Sequence, residues 1–217
     1  MAAKDRNGKT EAEFLREYDV TKYFRPSVTV DAVLYRALGV NALRVLLIKR
    51  GGHPYIDMYA FPGGFVEKDE SCEHAVKREL QEETGITGVP LCQLVTASTP
   101  ERDPRWRNIT VVYCGEVKDD ISFSAGDDAA DAKWFDISLD GSTLKFASTD
   151  GAEKFDCTLD IARDEFGCID INNTKIVERG LVAFDHSKII TYLFDELTRR
   201  TRKNENQKGR NRRNYTQ

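Results

Sequence analysis

The stretch Gly64–Ile86 constrains this chain more than any other. Apolar residues recur there at helical spacing and Gly85 offers a left-handed stop, so a helix from about Asp69 to Glu83 is expected. On a wheel turning about 100° per residue, Cys72, Val76 and Leu80 form the stripe that must face the protein. Glu79 and Glu83 fall within that stripe and Glu82 borders it with Ala75, while Glu70, His74, Lys77 and Gln81 take the solvent side. Carboxylates three and four residues apart repel by about a few tenths of a kcal/mol when exposed, and by more when desolvated. Arg78 can pair with Glu82 one turn on, but one guanidinium does not neutralise three acids. A divalent cation would. An all-oxygen donor set without His or Cys suits Mg²⁺ or Mn²⁺, ions that bridge carboxylates to phosphates. The competing reading is a solvated acidic face balanced by lysines, for which these acids lie on the wrong side.

Gly64, five residues, Glu70, seven residues and then Arg78-Glu79-Leu80-Gln81-Glu82-Glu83-Thr84-Gly85-Ile86 resembles a complete Nudix box, the signature of hydrolases acting on a nucleoside diphosphate linked to another moiety. At average residue usage a chance match is on the order of one in 10⁸ per starting position. The resemblance implies an α+β fold, an α/β/α sandwich around a mixed central sheet from about Val28 to Leu197. It implies that Glu79, Glu82 and Glu83 hold the metal with help from a backbone carbonyl near Gly63, that Arg78 orients the glutamates, and that Glu70 braces them. Bound metal would neutralise a pyrophosphate and activate a water for in-line attack. The general base stays open between Glu82 and the acids Glu101, Asp127, Asp128 and Asp131.

Thr99-Pro100-Glu101-Arg102-Asp103-Pro104-Arg105 resembles the segment that follows the box in bacterial-type ADP-ribose pyrophosphatases. Tyr23-Phe24-Arg25-Pro26-Ser27-Val28-Thr29-Val30-Asp31 and Ala183-Phe184-Asp185-His186 are similar to that subfamily as well. The implied substrate is ADP-ribose, cut to AMP and ribose 5-phosphate, with Arg25, Arg102 and Arg105 as substrate-binding residues. Arg102 and Arg105 suit bidentate contacts to phosphate or ribose; alternatively they pair with Asp103 and Glu101 in a surface loop. Tyr23, Phe24 or Trp106 could stack a base or belong to the core, and His186 reads as a neighbour of a helix cap. Two other functions share these motifs: a regulator that binds ADP-ribose without cutting it, and a hydrolase that sanitises nucleoside triphosphates. Such regulators resemble this chain but carry a DNA-binding domain after the last helix and often a damaged box. Here the box is intact and only about 18 residues follow Arg199.

The rest reads as one domain, 1–198, followed by a basic tail, 199–217. With 40% hydrophobic and 31% charged residues, the 217-residue chain is neither fibrous nor wholly disordered. The longest strongly apolar run, Val45-Leu46-Leu47-Ile48, is too short to cross a bilayer and the first residues are polar, so a cytoplasmic protein is expected. Five scattered cysteines without a Cys-x-x-Cys pair imply reduced thiols. Thr10 and Glu13 have capping-box spacing for a short helix. Strands are expected near Val28–Leu34, Leu43–Arg50, Tyr59–Val66, Ile109–Val117 and Ala132–Ile137, with a last helix from Asp185 that buries Ile189, Ile190, Leu193, Phe194 and Leu197. Leu144–Gly180 reads as an insertion with a strand or two and no chemistry, an embellishment or a homodimer contact. From Arg199 onward eight basic residues face one acid, Glu205, so the tail carries +7 and the body −11. Without apolar periodicity the tail is expected to be a disordered, solvated extension, with at most weak electrostatic contact to nucleic acid.

Overall fold

The computed structural model describes residues 2–118 and 131–214. At its centre β1 (Ser27–Gly39) pairs antiparallel with β2 (Ala42–Lys49) across a turn in which Asn41 takes a left-handed φ of 55°. Along its other edge β6 (Asn108–Glu116) runs parallel to it, from Ser27 opposite Asn108 to Tyr35 opposite Glu116. Two short strands fill the middle: β3 (Tyr59–Ala60) on β2, and β4 (Gly63–Phe65) on Thr29, Val30 and Asp31 of β1. β5 (Cys92–Ala97) lies outside β6. On the far side β7 (Asp131–Asp140), β8 (Thr143–Ser148), β9 (Lys154–Asp160) and β10 (Lys175–Glu178) follow β2 as an antiparallel run. The strand order is β10-β9-β8-β7-β2-β1-β6-β5, a mixed sheet.

Helices cover both faces. Val30, Ala32 and Leu34 pack with Ala75, Val76 and Leu80 of α2 (Cys72–Thr84). Val33 and Tyr35 point the other way, toward Ile189, Ile190, Leu193 and Phe194 of α3 (His186–Asn214). A short α1 (Glu11–Glu17) precedes the sheet and carries the expected capping box between Thr10 and Glu13. Each apolar side chain that α3 buries contributes roughly 2 kcal/mol, so docking of its first turns outweighs its surface ion pairs, which contribute about 1 kcal/mol or less each. The sandwich expected from the sequence is therefore present. Among the described residues no helix is long and apolar enough to cross a membrane.

Four local expectations are corrected. Alternation in β1 predicts a half-buried strand, yet Val33 and Tyr35 on its second face are buried too, because helices lie on both sides. The acidic helix starts at Cys72 rather than Asp69: Ser71 caps it by accepting from the His74 N–H, and Glu70 turns back toward the Glu67 N–H. The insertion forms three strands, β8 to β10, rather than one or two, and β5 was missed because a bulge between Gln93 and Val95 breaks its alternation. The tail expected to be disordered continues the backbone of α3 as far as Asn214. Glu196 supports the start of that continuation by pairing with Arg199 at 3.2 Å and Arg200 at 2.8 Å, and the Lys, Arg, Glu and Gln that follow favour helix against Asn204, Asn206, Gly209 and Asn211.

Candidate active site

β4 and α2 meet at two glycines. The Gly63 N–H donates to Glu83 Oε2 at 2.8 Å. A Cβ on Gly63 would collide with the Val30 carbonyl, so glycine lets β4 lie on β1, and one on Gly64 would displace the Glu79 carboxylate from its place. Arg78 then gathers the acids. Its Nη1 donates to Glu79 Oε1 at 2.9 Å and Glu82 Oε2 at 3.0 Å; its Nη2 donates to Glu70 Oε1 at 2.7 Å and to the Phe65 carbonyl at 3.1 Å; its Nε donates to Glu70 Oε2 at 3.2 Å.

Burial raises the Glu83 carboxyl to about 8; the Gly63 N–H resists this shift, and the neighbouring Glu79 and Asp31 add to it. Burial also raises Glu79, opposed by its bonds to Arg78. Glu82 is the open member of the trio, with its side chain 57% exposed. Among the described residues no three acidic, histidine or cysteine side chains converge on one point; Glu79 and Glu82 both turn to Arg78 Nη1.

Gly63 and Gly64 join these acids to a cavity of about 210 Å³, whose wall also includes Asp31, Arg50, Phe65, Arg105, Phe184 and His186. Arg50 lies over the Phe184 ring, 4.8 Å from its centroid, with its Nε on the Pro54 carbonyl at 2.8 Å. Arg105 lies between the rings of Phe65 and Phe184, at 5.5 Å and 5.7 Å, and is forked onto Asp103. Behind them Arg102 is buried and forked onto Asp185, at 3.1 Å and 2.8 Å, with Asp31 3.9 Å away. Burial raises the Asp31 carboxyl, while Arg102 and the Thr110 hydroxyl, 2.6 Å away, favour its anion.

His186 closes the wall. Its Nδ1 accepts from the Phe61 N–H at 3.0 Å, so the proton of the neutral ring sits on Nε2, 3.7 Å from Asp31 Oδ1. Burial holds its pKa down to about 3, with Arg102 and Arg50 adding to the shift against Asp185, so the ring is neutral and only weakly basic near neutrality. The unfolded histidine titrates at 6.5, so between pH 6.5 and 3 the unfolded chain binds the extra proton and the fold loses stability as pH falls. Glu83 acts in the opposite sense between 4.5 and about 8. Comparison with His186→Gln isolates the histidine: from pH 7 to pH 5 the wild type should lose about 2 kcal/mol more than the variant in urea unfolding. Equal losses would contradict a neutral, buried His186.

The fold thus brings together Gly63, Glu70, Arg78, Glu79, Glu82 and Glu83. Arg105 reaches the cavity. Arg102 also lines it, but with its guanidinium locked on Asp185. Arg25 is exposed and is not part of the cavity lining; nor is Glu101, also exposed. Asp127 and Asp128 lie outside the described residues, and the backbone of Asp131 opens β7. Phe24 and Trp106 form an exposed pair of rings 5.9 Å apart, not core. The sequence reading missed Asp31, Arg50 and Phe184 as wall residues. A charged residue between Val30 and Ala32 in a central strand was the available signal for the first.

The NUDIX domain family matches residues 25–145. An ADP-ribose pyrophosphatase of Methanocaldococcus jannaschii is 38% identical over 133 residues, which cover 58% of this chain and 72% of that protein. Among solved structures, a MutT/nudix family protein from Enterococcus faecalis superposes with a TM-score of 0.69 at 34% identity, covering 89% of this chain and 71% of the other. The NUDIX domain of Shewanella oneidensis NrtR, crystallised with ADP ribose, gives a TM-score of 0.52 at 35% identity and covers 58% of this chain and 82% of the other. With its acidic helix intact, the chain belongs to the NUDIX family and is a pyrophosphohydrolase of that family.

Proposed function

We propose that this enzyme hydrolyses the pyrophosphate of ADP-ribose, releasing AMP and ribose 5-phosphate. The carrying observation is the junction at Gly63 and Gly64, where a desolvated acidic helix meets a cavity walled by Arg50 and Arg105. The M. jannaschii pyrophosphatase and the NrtR domain crystallised with ADP ribose support this substrate.

The residues fit Mg²⁺ or Mn²⁺: the donors are all carboxylate or backbone oxygens, and two of the glutamates are held where negative charge lacks solvation. Glu79, Glu82 and Glu83 would hold the ion, with the backbone at Gly63 beside them. When bound it supplies charge neutralisation at phosphorus and a lowered pKa for water. Arg50 and Arg105 draw the pyrophosphate oxygens against the glycines. Arg78 and Glu70 fix the glutamate rotamers. Glu82, the most exposed of the three, takes the proton from the attacking water. A cavity this small holds the diphosphate and leaves the base outside, where the exposed pair Phe24 and Trp106 offers a stacking surface.

A phosphatase-coupled release screen of ADP-ribose, dinucleotides, sugar nucleotides and nucleoside triphosphates tests this, with ADP-ribose expected to lead in the presence of Mg²⁺. Triphosphates in the lead would overturn the substrate and retain the enzyme. Tight ADP-ribose binding with no turnover of any substrate would favour a sensor.

A further inference from the structure

On the other side of Arg102 and Phe184 lies a second cavity, of about 310 Å³. Its wall carries Arg102, Lys175, Arg179 and Lys188 against two acids, Glu101 and Asp185. Asp185 is engaged by the Arg102 fork, and Glu101 is exposed. The other three cations converge from β10, from the loop that follows it and from the first turn of α3. Among the described residues none of the three forms an ion pair. Arg179 donates to the carbonyls of Val182 and Phe184 and lies over the Tyr55 ring at 5.0 Å. Lys188 donates to the Ile171 carbonyl, at 3.4 Å.

Such an arrangement is costly in isolation. Burial lowers the Lys188 ammonium against the pull of Asp185 and Asp170, and Arg179 beside it adds to the shift. A cation in the first turn of a helix also opposes the helix dipole. The rest of the body is strongly acidic, so three cations without an ion pair among the described residues around one cavity break a local rule, which natural chains do chiefly at functional sites. A tetrahedral anion answers each of these costs: it pairs with the ammonium groups and the guanidinium, and it suits the amino end of α3.

We propose that this second cavity is an oxyanion subsite that takes a phosphomonoester group. It gives the insertion a chemistry, since Lys175 and Arg179 both belong to it. The group arrives either as free phosphate or as a phosphate carried on a ribose hydroxyl of the substrate, and the subsite does not depend on the substrate assigned above.

The test is calorimetric titration of inorganic phosphate into the full chain, without divalent ions and at constant ionic strength, in wild type and in Lys175→Met/Lys188→Met, which keeps the apolar stems and removes both charges. Affinity should fall about tenfold in the variant, and Lys188→Arg in place of Lys188→Met should restore most of it. Equal affinity in wild type and variant, or no saturable binding in the wild type, overturns the subsite. Should the double variant fail to fold, the exposed substitution Lys175→Met carries the same comparison with a smaller loss. The two sources are separated by kinetics with ADP-ribose and its ribose-phosphorylated counterpart. A lower KM for the phosphorylated substrate in wild type, lost in the variant, identifies a substrate phosphate; phosphate binding without that discrimination identifies free phosphate. Turnover of ADP-ribose itself should be unchanged in the variant. Failure of the ADP-ribose reading would leave the calorimetric result standing.

Discussion

Glu83→Gln is expected to lower kcat for pyrophosphate hydrolysis by about three orders of magnitude, the equivalent of about 4 kcal/mol of lost charge stabilisation at phosphorus. Glutamine keeps the volume and an oxygen that can accept from the Gly63 N–H, so β4 and α2 stay joined. What it removes is the negative charge that burial disfavours. Stability and activity should therefore move in opposite directions. Without divalent ions the Glu83 contribution to stability falls as pH rises from 4.5 toward about 8, the interval over which its native carboxyl resists ionising, so over that interval the wild type should lose stability relative to the variant, both keeping the opposite slope of His186. Turnover at saturating Mg²⁺ checks the first half and denaturant unfolding at pH 5 and pH 9 the second. Full turnover in Glu83→Gln would remove the residue from the reaction.

Arg102→Met is expected to cost about 3 to 5 kcal/mol of stability, the usual loss when one member of a buried ion pair is taken away. Its guanidinium is 4% exposed, is forked onto Asp185 and lies 3.9 Å from Asp31, so its removal leaves two desolvated carboxylates without their cation. Arg102→Met/Asp185→Asn should recover part of the loss, because one of those charges disappears with it. Chemical denaturation of the two variants measures both effects. The sequence reading assigned Arg102 to substrate; a variant with a raised KM and unchanged stability would restore that role.

The acidic helix was legible because its evidence is local. Spacing placed Glu79 and Glu83 within the stripe that faces the protein, and the structure holds both there; Glu82, read as bordering it, is exposed, and Arg78 bonds to Glu70, Glu79 and Glu82. The layers were legible for the same reason, since the apolar stripes of α2 and α3 each need one sheet face. The opposite wall was not. Asp31, Arg50, Arg102 and His186 lie far apart in sequence, and what gives them a role is which neighbour each meets in three dimensions. His186 read as a cap neighbour, and its position in the first turn of α3 agrees; its full burial against Phe61 and Asp31 has no signature in one sequence. Arg102 and Arg105 looked equivalent in their loop and each is forked onto an aspartate, yet Arg102 is buried on Asp185 while Arg105, paired with Asp103 as one reading allowed, stays half exposed at the cavity.

The parallel register of β1 with β6 governs how this enzyme comes into being on the ribosome. β1 can zip with β2 and β4 as soon as those neighbours emerge, but its other edge waits for a strand that begins at Asn108, and the wall around Asp31 waits for His186. Closing such distant pairings is the slow part of folding. The residues of α2 therefore leave the ribosome well before the strand and helix that complete the cavity, whose wall closes only when the amino end of α3, with His186, reaches Asp31 on the sheet.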